Sequence, residues 1–315
     1  MTQSPDVRLY RPGDEVGIRG LFKEVFGREM SLEEWMWKYT GEGERSVYSS
    51  VAENVSGEII GHYGCMVQRA IHRGRKIYGI SIGDVMTHPK CRGIRLFREL
   101  ATIGPTEAVR NGIVLGYGFP NERAFRLPEK LGLYEKVEDV FEAGKDVQSH
   151  NNLNRYTYRF FPLRYEDSRI DTLWEQLKGR IHLAVIRDRE YLRWRYQRHP
   201  YFSYEFWGLK KRWGLQLAGL AVMRKDNERM LLMDFVCPLD LLGPFFQKIE
   251  NYLYSTGIKK LVFWLPEYLR ERVAREGFSL YPAGISIPRS TIEGYLAKEE
   301  MKGRFFYTMG DTDFL

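Results

Sequence analysis

The chain has 315 residues, of which 43% are hydrophobic, 14% aromatic and 28% charged, with no Gly/Ser/Pro tract and no block of like charge. That length suits two domains of moderate size, each able to bury a core, and the composition excludes disorder and fibrous repeats. The net charge of +7 lies wholly in residues 151–315, which hold 27 Lys+Arg against 20 Asp+Glu, while residues 1–150 hold 21 of each.

In chain order, residues 7–11 read as a short strand, and Ile18, Leu21, Phe22, Val25 and Phe26 repeat at helical spacing after Asp14. Residues 47–53 and 59–67 alternate as strands around Asn54-Val55-Ser56-Gly57. A strand over about 77–87 leads through His88-Pro89 into a helix from Ile94 to Arg110, with a kink or early stop expected at Gly104-Pro105. Residues 114–119 form the next strand, and Asn121 caps a helix running toward Leu131-Gly132. Residues 144–186 link to a second set, and His150-Asn151-Asn152-Leu153-Asn154 is the expected flexible point. That second set has strands near 204–209, 215–225 and 229–236, a helix over 239–254, a strand over 261–265 and a helix ended by Gly277.

The two sets are related by an internal repeat. Ser31-Leu32-Glu33-Glu34-Trp35-Met36-Trp37-Lys38-Tyr39 is similar to Asp188-Arg189-Glu190-Tyr191-Leu192-Arg193-Trp194-Arg195-Tyr196, and the 20-residue spacing from Gly112 to Gly132 recurs from Gly257 to Gly277. The expected architecture is therefore α/β, an α+β mixed sheet in two tandem domains, 1–145 and 186–315, joined by a connecting segment, 146–185. Each domain is expected to hold a mixed, mainly antiparallel twisted sheet flanked by helices.

No apolar stretch approaches the roughly 20 residues of a membrane helix. The opening Met1-Thr2-Gln3-Ser4-Pro5-Asp6 has neither a basic nor an apolar leader region, so a cytoplasmic location with no membrane partner is expected. Cys65, Cys91 and Cys237 lie far apart, without a C-x-x-C or a histidine at zinc-ligand spacing, which argues against a disulfide framework or a metal site. Basic runs such as Lys210-Lys211-Arg212 match no nucleic-acid motif and read as solvated surface, so no general nucleic-acid binding is expected. Trp194, Trp207, Trp213 and Trp264 read first as core, and as the lining of a substrate cleft second.

Chemistry concentrates between Gly83 and Leu100, where a strand passes through a short turn into a helix. Free backbone N–H groups and the positive end of a helix dipole meet there, which is how a pyrophosphate is held, and Arg92 and Arg95 add charge. Thr87-His88-Pro89-Lys90-Cys91-Arg92-Gly93 resembles the acetyl-CoA motif of the GNAT acyltransferases, Arg/Gln-x-x-Gly-x-Gly/Ala. Phe119-Pro120-Asn121-Glu122-Arg123-Ala124, continuing to Leu131-Gly132, resembles their second motif. The resemblance implies that acetyl-CoA is a co-substrate, contacted by Val85, Met86, Thr87, Arg92, Gly93, Ile94, Arg95, Leu96, Phe97 and Asn121. Arg95 and Phe97 stand where the motif has small residues, and Pro128 stands where many relatives have a tyrosine acid.

Three residues are candidates for proton transfer. Asp84, on the strand before the turn, is either a base or a buried aspartate paired with an arginine. His88 is either a relay or a strand-end residue. Tyr117 is either a substitute acid or one more core aromatic. In the second copy the equivalent turn, Val236-Cys237-Pro238-Leu239-Asp240, lacks the arginine pair, and Asp240 would repel a pyrophosphate, so that copy reads as non-catalytic. The implied activity is N-acetyl transfer from acetyl-CoA to an amine of a small molecule or peptide. Two other readings stay open: a tandem GNAT-like aminoacyl or other acyl transferase, and a non-catalytic ligand- or partner-binding protein.

Overall fold

The computed structural model describes residues 4–41, 47–150 and 154–312. Their contacts divide the chain into two units, Met1–Ala70 with Lys76–Glu138 and Ile285–Lys302, and Ile71–Arg75 with Asp139–Gly284 and Gly303–Leu315. This differs from the contiguous blocks read from the repeat, because residues 285–302 belong to the first unit and 139–145 to the second. Local periodicity marks strands, and it carries no information on which sheet a late strand joins.

In the first unit, strand β1 (Asp6–Leu9) precedes helices α1 (Asp14–Phe26) and α2 (Leu32–Tyr39). Then come β2 (Ser50–Glu53), β3 (Ile59–His72), β4 (Arg75–Thr87), α3 (Ile94–Arg110), β5 (Leu115–Gly118), α4 (Glu122–Lys130) and the start of β6 (Tyr134–Asp146). The sheet runs β1-β2-β3-β4-β5 and then takes up the C-terminal part of a strand from late in the chain. Pairing of β1 with β2 and of β2 with β3 is antiparallel, whereas β4 and β5, joined through α3, are parallel from Gly79↔Leu115 to Ile82↔Gly118. Ile18, Leu21, Phe22, Trp35 and Tyr39 from α1 and α2 form one core, and Leu96, Leu100, Ala101 and Ala108 from α3 form another with Tyr63 and Ile80.

The helix α3 runs unbroken through Gly104-Pro105, contrary to the expected kink or stop. Gly104 donates its N–H to the Ser50 hydroxyl at 2.8 Å, and a Cβ there would lie 1.9 Å from the Tyr48 carbonyl. The pair thus permits a close approach of chain to helix rather than ending the helix.

The second unit opens on the rest of β6 and continues through α5 (Asn154–Thr157), β7 (Tyr158–Pro162), α6 (Arg169–Lys178), β8 (Leu183–Val185) and α7 (Arg189–Leu192). After these come β9 (Glu205–Lys211), β10 (Leu217–Asp226), β11 (Arg229–Val236), α8 (Leu242–Ser255), β12 (Lys260–Leu265) and α9 (Arg270–Arg275). Next is β13 (Ser279–Ser290), whose residues from Ile285 on belong to the first unit, as does α10 (Lys298–Met301); β14 (Phe305–Phe306) closes the second. Its strand order is β6-β12-β11-β10-β9-β7, antiparallel except for β11 and β12, which are joined through α8. Phe235, Phe245, Phe246, Phe263 and Phe278 pack ring against ring at its centre.

The segment read as a connector therefore carries β7, α6 and β8. Of its expected flexible point, residues 151–153 lie outside the described residues; beside them His150 donates its N–H to Asn251 at 2.6 Å. The repeat itself is borne by equivalent elements. Ser31 and Asp188 cap α2 and α7, and Gly112 and Gly257 end α3 and α8 with positive φ, as Gly132 and Gly277 do after α4 and α9.

Candidate functional site

The strand β4 outlasts its parallel neighbour. Pairing with β5 ends at Ile82↔Gly118, and residues 83–87 run on toward the turn that starts α3. Pro89–Cys91 makes one tight helical turn, Gly93 is extended, and the first N–H to reach a helix carbonyl is that of Phe97, on Gly93 at 3.0 Å. The N–H groups of Ile94, Arg95 and Leu96 thus lack helix acceptors and project from the positive end of a 17-residue helix. A Cβ at Gly93 would meet nothing within 4 Å, so the turn is open on that side.

The two departures from the small-residue pattern leave the turn clear. Arg95 folds along α3 and donates to Glu99 at 2.8 Å. Phe97 is partly buried against the core formed by Leu96, Leu100 and Ile80. Arg92 is exposed, and among the described residues its guanidinium has no side-chain partner, so it is available to an anion. Ile94 and Val85 are exposed, Thr87 is half-buried, and Met86 is buried in the α1–α2 core.

Asp84 sits within β4 at a left-handed φ of 45°, uncommon for any residue but glycine, asparagine or aspartate. Both ends of the residue are held. Its carboxylate accepts from Lys38 Nζ at 3.0 and 3.1 Å and from the Tyr39 hydroxyl at 2.8 Å, and its carbonyl accepts from His62 Nδ1 at 2.9 Å. The Lys38 and Asp84 side chains are only 2% and 8% exposed. The partner of the carboxylate is thus a lysine, where an arginine was expected. Gly64 makes the arrangement possible, because a Cβ there would lie 2.3 Å from the Tyr39 hydroxyl and 2.5 Å from the Gly83 carbonyl.

With Nδ1–H committed to a carbonyl, Nε2 of fully buried His62 carries the lone pair and has no hydrogen-bond partner among the described residues. Burial holds the ring neutral by pushing its pKa below the usual histidine value. Lys38, Tyr39, His62 and Gly64 were not singled out from the sequence. The Trp-Lys-Tyr of the repeat was legible, but its contact lies 45 or more positions downstream.

His88 is pinned at the strand end. Its Nδ1 accepts from the Lys90 N–H at 3.2 Å, so Nε2 is the protonated nitrogen and meets Glu24 at 3.0 Å. Tyr117 is buried, lies opposite Ser81 and Arg289 in the sheet, and stands edge-on to Phe119 at 6.0 Å. Asn121 caps α4, accepting from the Ala124 N–H at 2.9 Å, and is exposed. Asp84, His88 and Tyr117 each therefore have neighbours of their own.

The second unit has its own version of this cluster. Asp234 on β11 accepts from the Tyr196 hydroxyl at 2.9 Å and from Arg187 Nε at 2.9 Å, and Arg187 also binds Asp311 at 2.5 Å. The three ionic side chains are at most 1% exposed. Gly310 is the counterpart of Gly64, since a Cβ there would lie 1.9 Å from the Tyr196 hydroxyl. In the turn after β11, Pro238 supplies no N–H, and α8 begins beyond a short helical turn that contains Asp240.

Residues 6–136 match the model of the acetyltransferase (GNAT) domain. The chain is similar to a probable N-acyltransferase of Enterococcus faecalis V583, with a TM-score of 0.69 and 13% identity over 91% of this chain and 72% of that one. It is also similar to a GCN5-related N-acetyltransferase of Anabaena variabilis ATCC 29413, with a TM-score of 0.63 and 14% identity over 90% and 72% of the two chains. The Saccharomyces cerevisiae N-myristoyltransferase with bound myristoyl-CoA gives a TM-score of 0.60 and 9% identity over 92% and 79%. At these identities the likeness is one of fold. No curated protein matches the chain.

Proposed function

Residues 6–136 belong to the GNAT family, and from that premise we propose that the chain is an N-acyltransferase that takes acetyl-CoA as donor and an amine of a small molecule or peptide as acceptor. The observation that carries this reading is the turn at the end of β4, where the N–H groups of Ile94, Arg95 and Leu96 and the unpartnered Arg92 face an open side. Those groups suit a pyrophosphate, and Arg95 and Phe97 are turned out of its way. Asn121 at the start of α4 adds a side-chain amide on the next strand-to-helix connection.

In the reaction the amine nitrogen bonds to the acyl carbon as the C–S bond breaks, and the proton lost from nitrogen ends on the thiol sulfur. Backbone N–H groups of 85–87, beyond the end of the β5 pairing, are assigned the polarisation of the acyl carbonyl. Asp84 is assigned to positioning: Lys38, Tyr39 and His62 hold both its ends and so fix the left-handed step from which residues 85–87 leave the strand.

The test is release of free thiol from acetyl-CoA over a panel of polyamine, amino-sugar and peptide amines, with myristoyl-CoA as a second donor. Turnover with acetyl-CoA supports the proposal. Turnover with myristoyl-CoA alone would move the donor assignment to long acyl chains. Tight binding of acetyl-CoA without turnover on any amine would favour the non-catalytic reading, to which the engaged states of Asp84 and His88 lend support.

A further inference from the structure

The basic run Lys210-Lys211-Arg212 and one of the tryptophans meet at a single place, the end of β9 and its connection to β10, and the reaction uses neither. Trp213 is 91% exposed and Leu215 is 80% exposed. The backbone that carries them is fixed. Arg212 donates its N–H to the Thr157 carbonyl at 2.8 Å, Gly214 donates to Lys211 at 3.0 Å, and Arg169 Nη1 donates to the Leu215 carbonyl at 3.0 Å. Two large apolar side chains are thus held in water by a hydrogen-bonded hairpin tip, an arrangement that contributes nothing to folding.

Charge surrounds them on one side only. Lys210, Lys211 and Arg212 precede Trp213, and Arg159 on β7 lies opposite Lys210 in the register. No acidic residue occurs from 206 to 225. Asp167, which holds Arg169 at 2.6 Å, is neutralised by it. The Arg212 guanidinium lies 5.7 Å from the Trp213 ring centroid, so cation and aromatic are presented together. Exposed Tyr156, next to the Thr157 that anchors the hairpin, adds an aromatic with a polar tip.

We propose that this hairpin seats the chain on an anionic phospholipid surface, with Trp213 and Leu215 entering the headgroup layer and Lys210, Lys211 and Arg212 facing lipid phosphates. Tryptophan and tyrosine favour that layer, and a basic segment beside it is drawn to anionic lipid. A nucleic acid would use the cations and the indole, but it gives Leu215 no role. No described helix is long and apolar enough to cross a membrane, and this contact needs none.

The test is sedimentation of the full chain, without any acyl donor, with vesicles of phosphatidylcholine alone and with phosphatidylglycerol added, so its outcome is independent of the activity. We expect stronger partitioning to the anionic vesicles, with a blue-shifted fluorescence contribution from Trp213. Trp213→Ala with Leu215→Ala should lower the partitioning on the order of tenfold. Lys210→Gln with Lys211→Gln and Arg212→Gln should reduce it to the level on neutral vesicles. Lys211, Arg212, Trp213 and Leu215 are exposed and Lys210 is half-buried at the end of β9, and an unchanged unfolding midpoint would establish that the variants are folded. Absence of vesicle binding, equal binding of parent and variants, or tighter binding of the parent to duplex DNA or RNA in the same salt would overturn the proposal.

Discussion

Asp84 in the first unit and Asp234 in the second each accept a tyrosine hydroxyl from the equivalent repeat segment, and in each a glycine leaves room for it. The cations differ. Asp84 meets Lys38, the residue before Tyr39, whereas Arg195, the residue before Tyr196, donates to the carbonyls of Gly310 and Thr312, and Arg187 pairs with Asp234. Arg187 also draws in Asp311, so the second cluster fastens the segment 308–312. The same topological position thus fixes a turn with open donors in one unit and staples the segment 308–312 in the other. What separates them is whether the next turn carries Arg92 or Asp240, since each turn contains a proline, Pro89 in one and Pro238 in the other.

Removing a cation should distinguish the two most strongly. Arg187→Ala leaves two buried carboxylates facing each other and should cost about 3–5 kcal/mol in denaturant unfolding. Lys38→Ala should cost less, about 1–3 kcal/mol, since it leaves one carboxylate without its cation rather than two, and that one keeps its tyrosine. Equal losses would mean that the clusters play the same part.

The glycines come next. Gly64→Ala and Gly310→Ala should each cost about 1–3 kcal/mol, by forcing Tyr39 or Tyr196 off its aspartate. A second change, Tyr39→Phe or Tyr196→Phe, would then add little, and full additivity would contradict the steric explanation.

Acid should move the clusters in opposite directions. Burial pushes the Asp311 carboxyl up to about 6, against the pull of Arg187, so the folded chain takes up this proton before the unfolded one does. This proton uptake should therefore add stability to the second unit as pH falls from about 7 toward 4, opposed by Asp167, whose carboxyl Arg169 holds below its ordinary value. His62 is displaced downward, so below its ordinary value of about 6.5 the unfolded chain binds a proton that the folded chain does not, and the first unit loses stability over the same range. Hydrogen exchange of peptides from β3 and β11 would read the two signs. Asp311→Asn should abolish the gain, and His62→Asn should abolish the loss.

The smallest effect is expected at Arg95. With its side chain on Glu99, Arg95→Gly should leave acetyl-CoA affinity unchanged. A loss of an order of magnitude or more would make that arginine a phosphate ligand.

Much of the fold was legible in the sequence, because helix caps, alternation and glycine stops are local. Ile94–Arg110 and Arg229–Val236 begin and end where periodicity and capping place them. The assignment of residues 285–302 to the first unit was not legible, since nothing in their own pattern names the partner strand. The turn was found through its motif. Its meaning for Arg95 and Phe97 needed side-chain directions: one lies along its own helix, and the other faces the core. Asp84 was found as well, but its clamp comes from Lys38, Tyr39 and His62, which lie 46, 45 and 22 positions away, and pairing at that distance leaves no trace in local spacing.

Calorimetric titration of acetyl-CoA into the parent chain and into Arg92→Ala bears most directly on the difference between the two turns. We expect one site per chain, with affinity lowered by about 1.5–3 kcal/mol, roughly tenfold to a hundredfold, when the arginine is removed. Two sites per chain, no binding, or binding indifferent to Arg92 would contradict the assignment of the donor site to the first unit's turn.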